Sequence, residues 1–328
     1  MSRYLVIVAK ADNLSGYRFA LCKNNAMDFR CEDLPQYGLR LLAPSSPDYA
    51  PALADLRRHL DQPVSGTPPI PEQFRTRISE EDSPTSAILV NQNKKTIAAL
   101  QVVWRFETIT GHTPRHSRRM LSPQVLLLPF GKPESSLKLF GYWHAILPGS
   151  KRYLSQSGMV GDNTDVRPPA PEEKWPGKGG GFGIGRTGGM NLRDPVKQIT
   201  LTLDGVFFLD GEFVGPNREG LFEETVAEAE AHMLVAKIAR EGHNYGRAPA
   251  QILAEIEKTT GPAQEEYLAP PGARQNHAKP EEFRQWALQQ LAEEFAQQRE
   301  FPQYSDENLV VRIMSWTETV LPHFRKLG

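Results

Sequence analysis

The chain is short of cysteine, of net charge and of long apolar runs. Its 328 residues include two cysteines, Cys22 and Cys31. With no Cys-x-x-Cys, neither a zinc ribbon nor a thioredoxin-like redox site has its ligands. Spacing alone leaves the pairing of Cys22 and Cys31 open. The 38 Lys+Arg are balanced by 39 Asp+Glu, a net charge of -1. Whole-protein binders of nucleic acid or anionic membranes carry a basic excess, so this balance argues against both. No run is long enough to span a membrane, and mean hydropathy is -0.46. The apolar stretch from Tyr4 to Ala9 ends at Lys10, below the roughly seven to fifteen residues of a secretory core. It reads as a first strand, and the expected location is the cytoplasm. Gly-x-Ser-x-Gly and His-Glu-x-x-His are both missing, which removes two common catalytic frameworks. No cofactor or metal is expected.

What remains is ordinary globular material, 39% hydrophobic and 23% charged. Three regions differ in character. Residues 1–80 read as a mixed segment with a strand, an apolar piece at 38–42 and a short helix at 51–60. Residues 81–217 read as β. The clearest period-two signal runs over 96–108, with Ala98, Leu100, Val102, Trp104 and Phe106 on one face. Gln101, Arg105 and Glu107 fall on the other. A continuous apolar run at 124–128 has strand length, and Asp210-Gly211 is a hairpin signal between two further strands.

Residues 218–328 read as amphipathic helices. The first is capped by Asn217, with Phe222, Val226, Ala229 and Met233 on one face. A second covers 248–260. A third opens at Pro280 and carries Phe283, Ala287, Leu291 and Phe295. A fourth starts at Ser305 with Leu309, Ile313, Trp316, Val320 and Phe324 in its stripe, and Pro322 should kink its last turn. Charge divides with these regions. Residues 1–217 hold 26 Lys+Arg against 21 Asp+Glu, whereas residues 218–328 hold 12 against 18.

The fold class is therefore α+β, an antiparallel sandwich followed by a C-terminal helical region. Ala87-Ile88-Leu89-Val90-Asn91, Lys95-Thr96-Ile97-Ala98-Ala99-Leu100 and Trp104 resemble the early strands of an immunoglobulin-like sandwich. With Ile146-Leu147-Pro148-Gly149-Ser150 and the hairpin at 206–216, they are similar to β-sandwich domains of uncharacterised bacterial proteins. The resemblance covers the middle third. It implies a fold and no activity, and the immunoglobulin cysteine pair is absent.

Two segments carry candidate chemistry. Residues 155–194 form a long Gly/Pro-rich loop, and loops of that length are usually functional. Within it, bare backbone amides at Gly181, Gly183 and Gly185, with Lys178 and Arg186, could wrap an anion. The match to G-x-G-x-x-G lacks the strand before and the helix after that a dinucleotide site needs. Glycine equally permits close approach to a partner. The second segment is Arg115, His116, Arg118 and Arg119, which suits an anion better than a metal. Its plainer reading is a solvated turn between strands. On the acidic helix, Glu228 and His232 stand one turn apart and could pair.

The leading expectation is a non-enzymatic protein–protein interaction or assembly protein. It would bind a protein partner or itself through the Gly-rich loop and the C-terminal helices. The alternative is an anion- or nucleotide-binding enzyme that uses the Gly-rich loop with the arginine cluster.

Overall fold

The computed structural model describes residues 28–61, 85–121, 124–127, 145–155, 158–161, 196–262, 278–299, 305–316 and 323–327. The expected strand at Tyr4–Ala9, Cys22, the kink at Pro322 and most of the Gly-rich loop lie outside these residues.

The protein is mixed α+β, with its helices mostly C-terminal. Strands β1 (Asp28–Glu32), β4 (Ile97–Thr108), β5 (Arg115–Leu121), β8 (Val196–Phe208), β9 (Glu212–Val214) and β10 (Arg325–Lys326) form one sheet. Its order is β10-β9-β8-β4-β5, with β1 also on β8. The second sheet has the order β2-β3-β6-β7, built from Leu39–Leu42, Ala87–Asn91, Lys151–Ser155 and Gly158–Gly161. The expected strand at 124–128 is instead a helical turn, Gln124–Leu127. A short apolar run has no periodicity to separate the two.

The two sheets share one core. Leu39, Leu41, Leu89 and Leu154 of the second sheet pack with Leu100, Val102, Trp104, Phe106, Ile199, Leu201 and Leu203 of the first. Burying that apolar area is the main drive to fold. The alternation expected along β4 holds from Leu100 to Phe106. A register shift between Ile97 and Ala99 turns Ala98 to a different cluster. Helix α1 (Tyr49–Asp61) covers the outer face of the second sheet, where Leu53 and Leu56 meet Ile88 and Tyr153.

Two pairings depart from the antiparallel expectation. β1 runs parallel to β8, and β10 runs parallel to β9. Parallel neighbours need a long connection, and residues far apart in sequence supply it here. β1 takes one half of a β8 edge (residues 198–202), and β9 takes the other (206–207). The expected hairpin at Asp210-Gly211 does join β8 to β9, with Gly211 at φ 87°.

Four longer helices follow: α2 (Leu221–Asn244), α3 (Pro249–Thr260), α4 (Pro280–Arg299) and α5 (Asp306–Ser315). They bury a core of their own, including Val235, Ile252, Ile256, Phe283, Leu291, Phe295, Leu309, Ile313 and Trp316. Ser305 caps α5 by accepting from the Asn308 amide at 3.2 Å. The helix ends at Ser315, short of the expected stripe, and Phe324 lies instead beside a strand of the first sheet. The face expected for α2 holds in part, since Phe222 and Ala229 pack on the first sheet. Met233 is exposed, while Ala227, Ala231, Val235 and Ala239 turn inward, so small residues make the contact. Among the described residues, no helix is long and apolar enough to cross a membrane.

The chain returns to the first sheet at β10. The amides of Arg325 and Leu327 donate to the carbonyls of Gly211 (3.2 Å) and Phe213 (2.9 Å). Glu212 pairs with Lys95 and Arg325, and hydrogen bonds from those two cations hold its carboxyl below its ordinary value of 4.5. Burial pushes the Glu223 carboxyl up, but hydrogen bonds from Lys326 and Asn217 outweigh it and leave it lowered. A carboxylate with a depressed folded pKa contributes stability above its unfolded value and loses it as pH falls through the folded one. Residues 323–327 should therefore stay docked at neutral pH and loosen below about pH 4.5. Amide resonances of Arg325 and Leu327 followed by NMR on acidification check this. Unchanged shifts down to the global acid transition would refute it.

Candidate functional site

The arginine cluster lies on a strand rather than a turn. Residues 115–121 are β5, paired antiparallel with β4. Alternation then splits the four candidate residues between two faces. Arg115 and Arg119 stand opposite Arg105 and Gln101, on the face away from the second sheet. His116 and Arg118 stand opposite Trp104 and Val102, on the face of the inter-sheet core. The His116 ring is 5.8 Å from that of Trp104, tilted by 45°. Burial first, and then the Arg118 charge, push its pKa down, so the ring is neutral at pH 7. Its Nε2 is buried without a hydrogen-bond partner.

The outward arginines meet carboxylates from the start of α2. Arg115 pairs with Glu219, and Arg119 pairs with Glu224. The Glu228 carboxylate is a further 3.9 Å from Arg119. Glu219 and Glu224 are buried, their side chains only 4% and 3% exposed. Such buried carboxylates require an opposite charge beside them.

Asp204 sets the position of those carboxylates. It is fully buried on β8. Its side chain accepts from the Arg218 amide at 3.0 Å and the Glu219 amide at 2.9 Å. Its own carbonyl accepts from the Asn217 amide at 2.7 Å. A Cβ on Gly215, whose φ is 116°, would lie 2.7 Å from that carbonyl oxygen, so glycine is required there. Burial pushes the Asp204 carboxyl up, opposed by the Arg218 amide and by the charges of Arg218 and Arg115. Helix α2 begins later than expected, and its N-cap is Gly220, not Asn217, although the Asn217 side chain still reaches its first turn. The Asn217 Oδ1 accepts from the Phe222 amide at 2.9 Å and its Nδ2 donates to Glu223 at 2.6 Å.

Beside Glu228, the expected partner His232 turns its Nδ1 to the Glu228 backbone carbonyl at 2.7 Å. Its ring rests 4.7 Å from that of Trp316. Burial pushes the Glu228 carboxyl up, against the charges of Arg119 and His232. The arrangement is thus a line of ion pairs joining β5 to α2. An incoming anion would have to displace a carboxylate from Arg115 and from Arg119.

Lys178, Gly181, Gly183, Gly185 and Arg186 lie outside the described residues. The nearest described elements on either side are placed. β7 is an edge strand of the second sheet and ends at Gly161, while β8 enters the centre of the first sheet at Val196. Among the described residues, no group of three His, Cys, Asp or Glu could hold a metal ion. Cys31 is a free thiol, pushed up to about 12 by burial and by Asp33, and so unreactive at neutral pH. A shallow depression between α1 and the second sheet is lined by Arg40, Asp48, Asp55, Arg58 and Lys151. Its charges are paired with each other, Arg40 with Asp48 and both Arg58 and Lys151 with Asp55.

Sequence reasoning missed Asp204 and Glu219. Both are ordinary acidic residues in sequence, and only the fold places them against the arginines. Compared with protein-family models, curated proteins and solved structures, the chain shows no match.

Proposed function

We propose that this is a non-enzymatic interaction or assembly protein that works through the Gly-rich segment at 155–194 and the C-terminal helices. The observation that carries this reading is the internal neutralisation of the arginine cluster. Arg115 and Arg119 are engaged by Glu219, Glu224 and Glu228, so the two outward arginines of β5 already hold carboxylates where a ligand would have to bind. That weakens the alternative, an anion- or nucleotide-binding enzyme in which those arginines act with the Gly-rich loop. The edge strand β7 and the central strand β8 flank the glycine-rich residues, which suits a contact element held at both ends by sheet. Exposed Tyr245 and Val311 add apolar surface on the helical side. The two facing sheets with a common core support an immunoglobulin-like sandwich as the framework, with β1 and β10 as parallel additions.

Deleting residues 177–189 tests the reading. The expected result is a fall in native mass towards the monomer, with the melting temperature nearly unchanged. Multi-angle light scattering and calorimetry measure the two. An unchanged mass would remove the loop as the contact. Saturable stabilisation of the intact protein by phosphate or a nucleotide, abolished by Arg186→Ala, would instead establish the anion site.

A further inference from the structure

The short segment at 323–327 is held by a set of contacts that together read its sequence. We propose that the edge of β9 that β10 occupies is a receptor for an aromatic–basic–basic–aliphatic segment, filled in the assembly by residues 323–327 of a second copy of this chain.

Strand addition supplies the sequence-independent part. The carbonyls of Gly211 and Phe213 accept from Arg325 and Leu327, as an edge does for an added peptide. Side chains supply the reading. The Phe324 ring meets Phe207 edge-on at 5.8 Å, beside Phe213 and Phe222. Arg325 pairs with Glu212. Lys326 pairs with Glu223 at 2.5 Å and lies 4.8 Å over the Phe222 ring. Leu327 packs on the inter-sheet core. An acidic, aromatic-lined edge thus receives a basic segment with an aromatic residue at its start.

Two features favour exchange between copies. The receptor residues named here lie within 207–223, and the segment residues within 324–327, so the same bonds form whichever copy supplies the segment. In sequence, residues 317–322 alone separate Trp316 at the end of α5 from His323. Short connections between anchored elements favour exchange of an element between copies. A second copy is the partner that carries the required pattern, Phe324-Arg325-Lys326-Leu327. The proposal rests on the assembly reading for its partner, yet the two fail separately. The mass of the 177–189 deletion tests the loop, and the experiment below tests the exchange.

Two full-length variants are made. One carries Glu212→Lys and Glu223→Lys, the other Arg325→Glu and Lys326→Glu. Alone, each opposes like charges across the contact, within a chain or between chains. Mixed, each receptor faces a segment of opposite charge. The expected result is a heterodimer by native mass spectrometry that appears only on mixing and fades with added salt. A mixture that stays monomeric while both variants keep the circular dichroism of the parent overturns the exchange. A third protein, lacking residues 323–328, guards against misfolding of the charge variants. It should bind a synthetic peptide of residues 323–328 in fluorescence polarisation. Glu212→Lys with Glu223→Lys in that background should weaken binding by at least about tenfold. Absence of peptide binding to the folded truncated protein also overturns the receptor.

Discussion

Replacing Arg119 with alanine should lower folding stability by about 3 kcal/mol, the scale for leaving a buried charge without its partner. Glu224 is the group left behind, with its side chain 3% exposed. Glu228 lies beside it, so removing the guanidinium also leaves two carboxylates facing each other. The double variant Arg119→Met with Glu224→Gln should recover most of the loss, because neither replacement strands a charge. Urea unfolding of the two variants gives the comparison. The result bears directly on function. An arginine held for a ligand can be removed at little cost to the empty protein, whereas one that joins a strand to a helix cannot. Full stability in Arg119→Ala would return the cluster to the anion-site reading.

Trp104→Ala should be the other severe change, costing about 3–5 kcal/mol. Trp104 is among the largest fully buried side chains and packs between the sheets on β4, beside His116. Its indole N–H donates to the Thr85 carbonyl at 2.9 Å, tying the approach to β3 to the centre of the first sheet. Alanine removes both the volume and the donor. Phenylalanine keeps most of the packing and removes the indole donor to that carbonyl, for a smaller loss of about 1–3 kcal/mol. Equilibrium denaturation of the two variants separates the contributions. Equal losses would mean that the hydrogen bond, and not the packing, dominates.

Strong local periodicity was legible in the sequence, and long-range pairing was not. The inward stripes of α4 and α5 follow from helical spacing because their burial is one-sided. β4 follows from the alternation of its large apolar residues on the inter-sheet face, although its other face is largely buried too. β1 and β6 were not legible. Asp28–Glu32 has only Phe29 and Cys31 facing the core, and Lys151–Ser155 opens with two cations. Their strand character comes from their neighbours in the sheet. The strand character of β5 is hidden for the same reason, since its outward arginines face carboxylates that lie about a hundred residues later in sequence. The arginine and histidine residues read as one cluster in sequence because a sequence does not show which face of a strand each residue takes.

β8 has a consequence for synthesis. It pairs with β4 along its length and receives β1 and β9 on its other side. The Glu32–Thr202 hydrogen bond spans 170 residues. At translation rates of about 5–20 residues per second, β1 waits roughly 8–35 s for its partner. β4 and β5 can form their hairpin early, but the other edge of β4 stays unpaired until β8 leaves the ribosome. On the nascent chain, that exposed strand is the stretch most in need of a chaperone.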